Sequence, residues 1–197
     1  MSDRFIEVKV DTSEVVRALQ EMQRRSLNLR PFMGAVGMIM IKSTHENFEA
    51  EGRPIKWKGW SPLTKERGEN SAMAHAEKTR KTKAGRQRQY IRNLSKLSAK
   101  KILQSRGELK KSVVIGRITS DSVEIGSSLV YSRIHQLGGT IVPKKAKALA
   151  IPMGGGKVIK LKRVKMPARP YLMLQQTDRD TIIRVARDYL TRGVIGG

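Results

Sequence analysis

The residues of this chain that could do chemistry are few, and they do not converge. Its one compact set of carboxylates is Glu46, Glu49 and Glu51, with His45 beside it. Carboxylates move protons or hold a metal only when they meet a partner acid or histidine in a common geometry. No such partner is evident beyond His45, and the cluster falls at the end of a predicted helix, so it reads as a solvated helix face. From Ile125 to Thr177 there is no Asp or Glu at all. The three histidines, His45, His75 and His135, are far apart, and no H-x-x-x-H pair occurs. Without cysteine, disulfides, thiolate metal sites and thiol catalysis are excluded. The triple glycine Gly154–Gly156 lacks the form of a phosphate loop, and no helix follows it, so it reads as a hairpin tip. His135, close to Tyr131 and Ile134, reads as a packed or capping histidine. The expectation is a protein that is not an enzyme, with no cofactor, no metal and no small-molecule substrate.

Charge points elsewhere. Forty Lys and Arg against seventeen Asp and Glu give a formal net charge of +23. An excess of that size speaks of partners, and the usual one is a phosphate backbone. Two knots of charge stand in the acid-free stretch: Lys144, Lys145 and Lys147, then Lys157, Lys160, Lys162, Arg163 and Lys165. On a hairpin they would form an electrostatic surface for phosphate without base specificity. Aromatic residues make up 5% of the chain, too few for a platform that stacks single strands. Two other readings stay open: a hairpin edge guarded by lysines against aggregation, and pairing with an acidic protein.

The elements that would position these groups are legible from periodicity. Residues 4–10 alternate and predict a strand. Asp11, Thr12 and Ser13 offer caps for an amphipathic helix carrying Val15, Val16, Leu19, Met22 and Leu27. Pro31 opens a second helix over about 31–50, whose first half is apolar nearly all round and should be the most buried element. Gly52 can end it. Residues 51–64 hold Trp57 and Trp60 among glycines and prolines and predict an extended arm. Residues 65–87 are basic and thinly apolar, which predicts a mobile or partner-ordered loop, followed by a helix over about 88–105. The whole span 65–100 is thus expected as a basic insertion, partly mobile. A hairpin (112–118 with 122–126) and a short helix stopped by Gly138 come next. A basic β-hairpin region covers 140–170, and Thr177 or Asp178 caps a C-terminal helix.

The class is α+β, with a mainly antiparallel sheet packed against N-terminal and C-terminal helices; without βαβ alternation, no parallel sheet is expected. Residues 1–197 are taken as a single domain. No apolar run approaches membrane-spanning length, so no membrane partner is expected. The N-terminus reads as mature cytoplasmic sequence, without a signal peptide.

Several motifs stand in a fixed order: F-E-x-E-G-R-P-x-x-W (Phe48 to Trp57), W-S-P-L-T (Trp60 to Thr64) and I-L-Q-S-R-G-E-L-K-K-S (Ile102 to Ser112). V-E-I-G-S-S-L-V-Y-S-R-I-H-Q-L-G-G (Val123 to Gly139) and M-P-A-R-P-Y-L (Met166 to Leu172) follow. The series resembles the phage virion morphogenesis family, the tail-completion proteins of Mu-like and P2-like tailed phages. The resemblance spans nearly the whole chain and is weakest over 65–100. It implies a structural protein made in the host bacterial cytoplasm and carried in the virion, at the tail top or the head–tail neck. Implied partners are copies of itself in a ring of six, tail-tube and head or neck proteins, and phage DNA in passing. It transfers no catalytic residues.

Trp57, Trp60 and Arg169 are the candidates for subunit contact, because an arm with two large aromatics buries poorly in a monomer. The competing classes are a free sequence-independent nucleic-acid-binding protein of packaging or assembly, and a nuclease built on the Glu46–Glu51 region. Missing recognition motifs weigh against the first of these, and a missing metal constellation against the second.

Overall fold

The computed structural model describes residues 12–192, so the strand expected over 4–10 lies outside the described residues. The sequence reading takes the chain as one domain; by contact it divides into two compact units. The first takes residues up to 40, 115–125 and the chain from 176; the second takes 41–114 and 126–175. The fold is α+β with small antiparallel sheets, as the sequence indicates.

In the first unit, α1 (Ser13–Ser26) and α7 (Gln176–Thr191) are joined side to side. Arg25 donates from Nη1 to the Tyr189 carbonyl at 3.0 Å, and the Tyr189 hydroxyl donates to the Asn28 carbonyl at 2.6 Å. The Tyr189 ring stands 6.3 Å from that of Phe32. Phe32 belongs to α2 (Arg30–Glu49), which contributes to both units. Gly37 lets α2 lie close on strands β1 (Val113–Ile118) and β2 (Val123–Ser127). A Cβ there would stand 2.8 Å from Ile115 Cδ1 and 3.2 Å from Val123 Cγ2. β1 and β2 pair as the predicted hairpin, turned at Thr119, whose amide donates to the Ser122 carbonyl. The C-terminal helix begins earlier than expected, at Gln176, which puts Asp178 inside its first turn, where an acid favours the helix dipole.

One expectation reverses here. The first half of α2 is only half-buried, and Met38 is 64% exposed. The second half carries the buried side chains Ser43, Thr44, Asn47 and Phe48. Every buried hydrophobic side chain among the described residues lies in the second unit. Burial follows which side of a helix is covered, and hydroxyl and amide groups go inside wherever bonds wait for them.

The second unit contains the larger correction. Where the sequence predicts a loop over 65–87, the chain forms α3 (Pro62–Thr79) and starts α4 (Lys83–Ser98). Ser61 caps α3, its hydroxyl accepting from the Thr64 amide at 3.2 Å, with Pro62 at the first turn. Thr82 caps α4 in the same way through Gly85 at 3.1 Å. The two helices pack on each other through small residues: Ala72 and Ala76 are buried, and a Cβ on Gly68 would meet Leu97 at 2.4 Å. Asn93 ties them, donating to the Ala72 carbonyl at 3.1 Å. Alanine, lysine, arginine and glutamate are strong helix formers, and close approach on alanine and glycine needs few large apolar groups. Counting only large hydrophobics therefore hid these helices. α4 also ends at Ser98, short of the expected 105.

After the short α5 (Glu108–Lys111) and α6 (Ser132–Leu137), the chain runs as an interrupted antiparallel ladder. β3 (Gly139–Ile141) pairs with β6 (Val164–Met166), and β4 (Leu149–Gly154) with β5 (Lys157–Leu161). The tip rests on α3. A Cβ at Gly154, whose φ is +84°, would stand 2.7 Å from the Ser71 amide nitrogen.

Candidate functional site

The motifs read from the sequence interlock in the second unit. Phe48 is fully buried, with Trp57 edge-on at 5.6 Å and Tyr171 tilted at 5.3 Å. Asn47, also buried, donates from Nδ2 to the Tyr171 carbonyl at 2.9 Å, and Trp57 donates from Nε1 to the Pro170 carbonyl at 3.1 Å. Arg53 binds the end of α2 with its whole guanidinium: Nε to Asn47 Oδ1 (2.9 Å), Nη1 to Glu46 (2.6 Å) and Nη2 to the Ser43 carbonyl (2.8 Å). From α6, Gln136 accepts the amides of Tyr171 and Leu172 on one oxygen and donates to the Leu172 carbonyl at 2.8 Å. Three stretches distant in sequence thus share one polar and aromatic knot.

The acidic cluster belongs to this framework. Glu46 meets Arg53, and Glu51 accepts the Ile102 amide at 2.6 Å. Glu49 meets both Lys101 and Lys110 at 2.5 Å, and these bonds hold its carboxyl down to about 2. Gly52, at φ +105°, turns the chain between them, since a Cβ there would stand 2.5 Å from the Ile55 carbonyl oxygen. The carboxylates pin residues 101–110 to the end of α2, a role beyond the solvated face read from the sequence. No group of His, Asp and Glu among the described residues is arranged to hold a metal.

Two of the three subunit-contact candidates sit differently from expectation. Trp57 is 7% exposed and packs inward, because the arm folds back over Phe48 and gives its indole N–H a carbonyl partner. Arg169 is equally buried, donating from Nε to the Lys58 carbonyl and from Nη2 to that of Gly59, both at 3.1 Å. It fastens the arm to the P-A-R-P turn. Trp60 alone remains partly open.

Trp60 borders a cleft of about 1100 Å³ formed by α3, the end of α4, residues 100–109 and α6. Leu97, Ile102, Leu103, Leu109 and Met166 supply its apolar lining. Arg67, Lys96, Lys100, Arg106 and the buried Arg169 supply positive charge, against Glu108 as the one acid. His135 also faces it, its ring 6.0 Å from that of Tyr131 and its Nδ1 without a hydrogen-bond partner. Burial first, and then the Arg169 charge, push the His135 imidazole below its ordinary value. Its carbonyl accepts the Arg169 amide at 2.8 Å. The sequence reading did not single out Arg67, Lys96 or Lys100, because only the packing of α3 on α4 brings them together.

The lysine knots are exposed throughout, but they are arranged along a ladder more than about its tip. Leu149 pairs with Leu161 and Ile141 with Val164, so the loop 142–148 stands opposite only 162–163. Lys144, Lys145 and Lys147 lie in that loop, facing Lys162 and Arg163 across the break. Lys160 is mid-strand opposite Ala150, Lys165 is opposite Thr140, and Lys157 at the tip is bound by Glu66 of α3 at 3.1 Å. Only Lys157 of the eight is in an ion pair among the described residues.

In comparison with known families, the model described as the phage virion morphogenesis family aligns with residues 10–191. No curated protein and no solved structure matches the chain.

Proposed function

The chain belongs to the phage virion morphogenesis family, and from that premise we propose that it is a tail-completion protein closing the tail at the head–tail neck. Membership makes it a protein of phage particle structure and assembly. In this reading copies join in a ring, six to match a six-fold tail, with tail-tube and head or neck proteins as further partners. The acid-free ladder faces the path of the DNA.

The observation that carries the reading is the ladder. Seven of its eight cations have no counter-ion among the described residues, and the segment around them holds no acid. Lysine point charges without stacking aromatics attract phosphate without reading bases, which suits a conduit through which DNA slides. Ring formation is supported by the apolar side chains the first unit leaves open. Val15, Val16 and Leu19 are exposed within a turn of one another on α1.

Electron microscopy of intact particles tests the proposal. Rings at the tail top, with Lys144, Lys145 and Lys147 toward the lumen, are the expected result. Single copies, or these lysines on the outer rim against carboxylates of a neighbour, would overturn it.

A further inference from the structure

We propose that the cleft between α3, α4 and α6 is a docking site for an acidic, amphipathic segment of a different protein. The cleft lies wholly within the second unit and none of the eight ladder cations lines it, so the inference depends on neither the ring nor the DNA path.

Four observations define the occupant. The volume, about 1100 Å³, has room for a length of polypeptide. The lining is divided: Leu97, Ile102, Leu103, Leu109 and Met166 offer apolar surface, and Trp60 offers an aromatic anchor at its edge. Its charge is one-sided. Arg67, Lys96 and Lys100 are exposed and make no ion pair among the described residues. Lastly, Arg169 is a buried cation held by two carbonyls, with no carboxylate among the described residues to balance it. A buried charge is costly until an opposite one reaches it. A carboxylate entering the cleft would supply that balance.

The same features exclude other occupants. A second copy of this chain has little free carboxylate to bring to this positive cleft, because its compact acidic cluster is engaged by Arg53, Lys101 and Lys110. Like charges brought together at an interface are strongly penalised. A nucleic acid would satisfy the cations but leave the apolar lining wet, and stacking of successive bases needs more than Trp60 and Tyr131.

The test uses the purified full chain and a fluorescein-labelled synthetic helix with leucine and glutamate on opposite faces. Saturable binding, with a change in tryptophan emission that Trp60→Phe abolishes, is expected. Replacing the probe's leucines by serine should weaken binding by about tenfold, as should K96E/K100E in the protein. Arg67→Glu provides a second, independent exposed variant, and circular dichroism checks that each stays folded. Arg184→Glu, on α7 and absent from the cleft lining, should bind as the parent does. Equal binding of the leucine and serine probes would reduce the site to unspecific charge attraction and overturn the proposal. So would parental affinity in both cleft variants, or displacement of the probe by a short DNA duplex at equal charge.

Discussion

Two tryptophans three residues apart divide the work of the arm. Trp57 is buried edge-on against Phe48 with its indole N–H on the Pro170 carbonyl, and Trp57→Ala should cost about 3–5 kcal/mol of stability by chemical denaturation. Trp60 is partly open, and Trp60→Ala should stay within about 1 kcal/mol of the parent while impairing assembly in a complementation assay. Equal destabilisation by both would deny the division. Glu49 supplies a pH signature. Hydrogen bonds from Lys101 and then Lys110 hold its carboxyl at about 2 against an ordinary 4.5. The folded state therefore binds fewer protons at this site than the unfolded one. The stability it adds is complete above pH 4.5 and disappears as the pH falls through about 2. Glu49→Gln should lose less stability than the parent across that window, measured by thermal unfolding at a series of pH values. The side chain is half exposed, so the difference will be modest and will shrink with salt.

At the scale of elements, the contact of the β4–β5 tip with α3 is set by a glycine. Gly154 combines a positive φ with a Ser71 backbone too close for any Cβ. Gly154→Ala should cost about 1–3 kcal/mol, and the loss should be seen as earlier exchange of amides in both β4 and α3. Loss confined to the hairpin would mean the tip does not depend on the helix. The α3–α4 pair shows why a sequence rich in charge can still be helical. Ser61 and Thr82 cap its helices, and its packing rests on Gly68, Ala72 and Ala76, which carry no large hydrophobic signal.

For the whole molecule, the two units differ in what they bury. The second encloses Phe48, Trp57, Met153 and Tyr171, whereas the first leaves Val15, Leu19, Leu27 and Ile183 exposed. Polar replacement of Val15 and Leu19 together should leave the second unit's melting unchanged and prevent ring formation, read by sedimentation and by microscopy of particles. Normal rings would sink the assignment of that face to assembly. The charge makes a separate prediction. Binding of DNA by the free protein should ignore sequence, with a logarithmic salt slope of about −0.9 per phosphate neutralised. The triple variant K144E/K145E/K147E should flatten that slope without changing the fold. An unchanged slope would move the lysines away from DNA.

Much of this protein was legible in one dimension. Periodicity and caps located the N-terminal helices, the 113–127 hairpin and the glycine stop at Gly138, because those depend on neighbours a few residues away. The ordered motifs pointed to the family. What the tertiary structure decided was contact. Trp57 is buried because the chain doubles back onto Phe48, Arg169 because Lys58 and Gly59 turn their carbonyls to it, and Glu49 is clamped by lysines 52 and 61 residues away. The cleft cations Arg67, Lys96 and Lys100 meet only when α3 and α4 pack. Local pattern sets which elements form, but burial and pairing depend on which surfaces meet, and residues far apart in sequence carry no periodic trace of it.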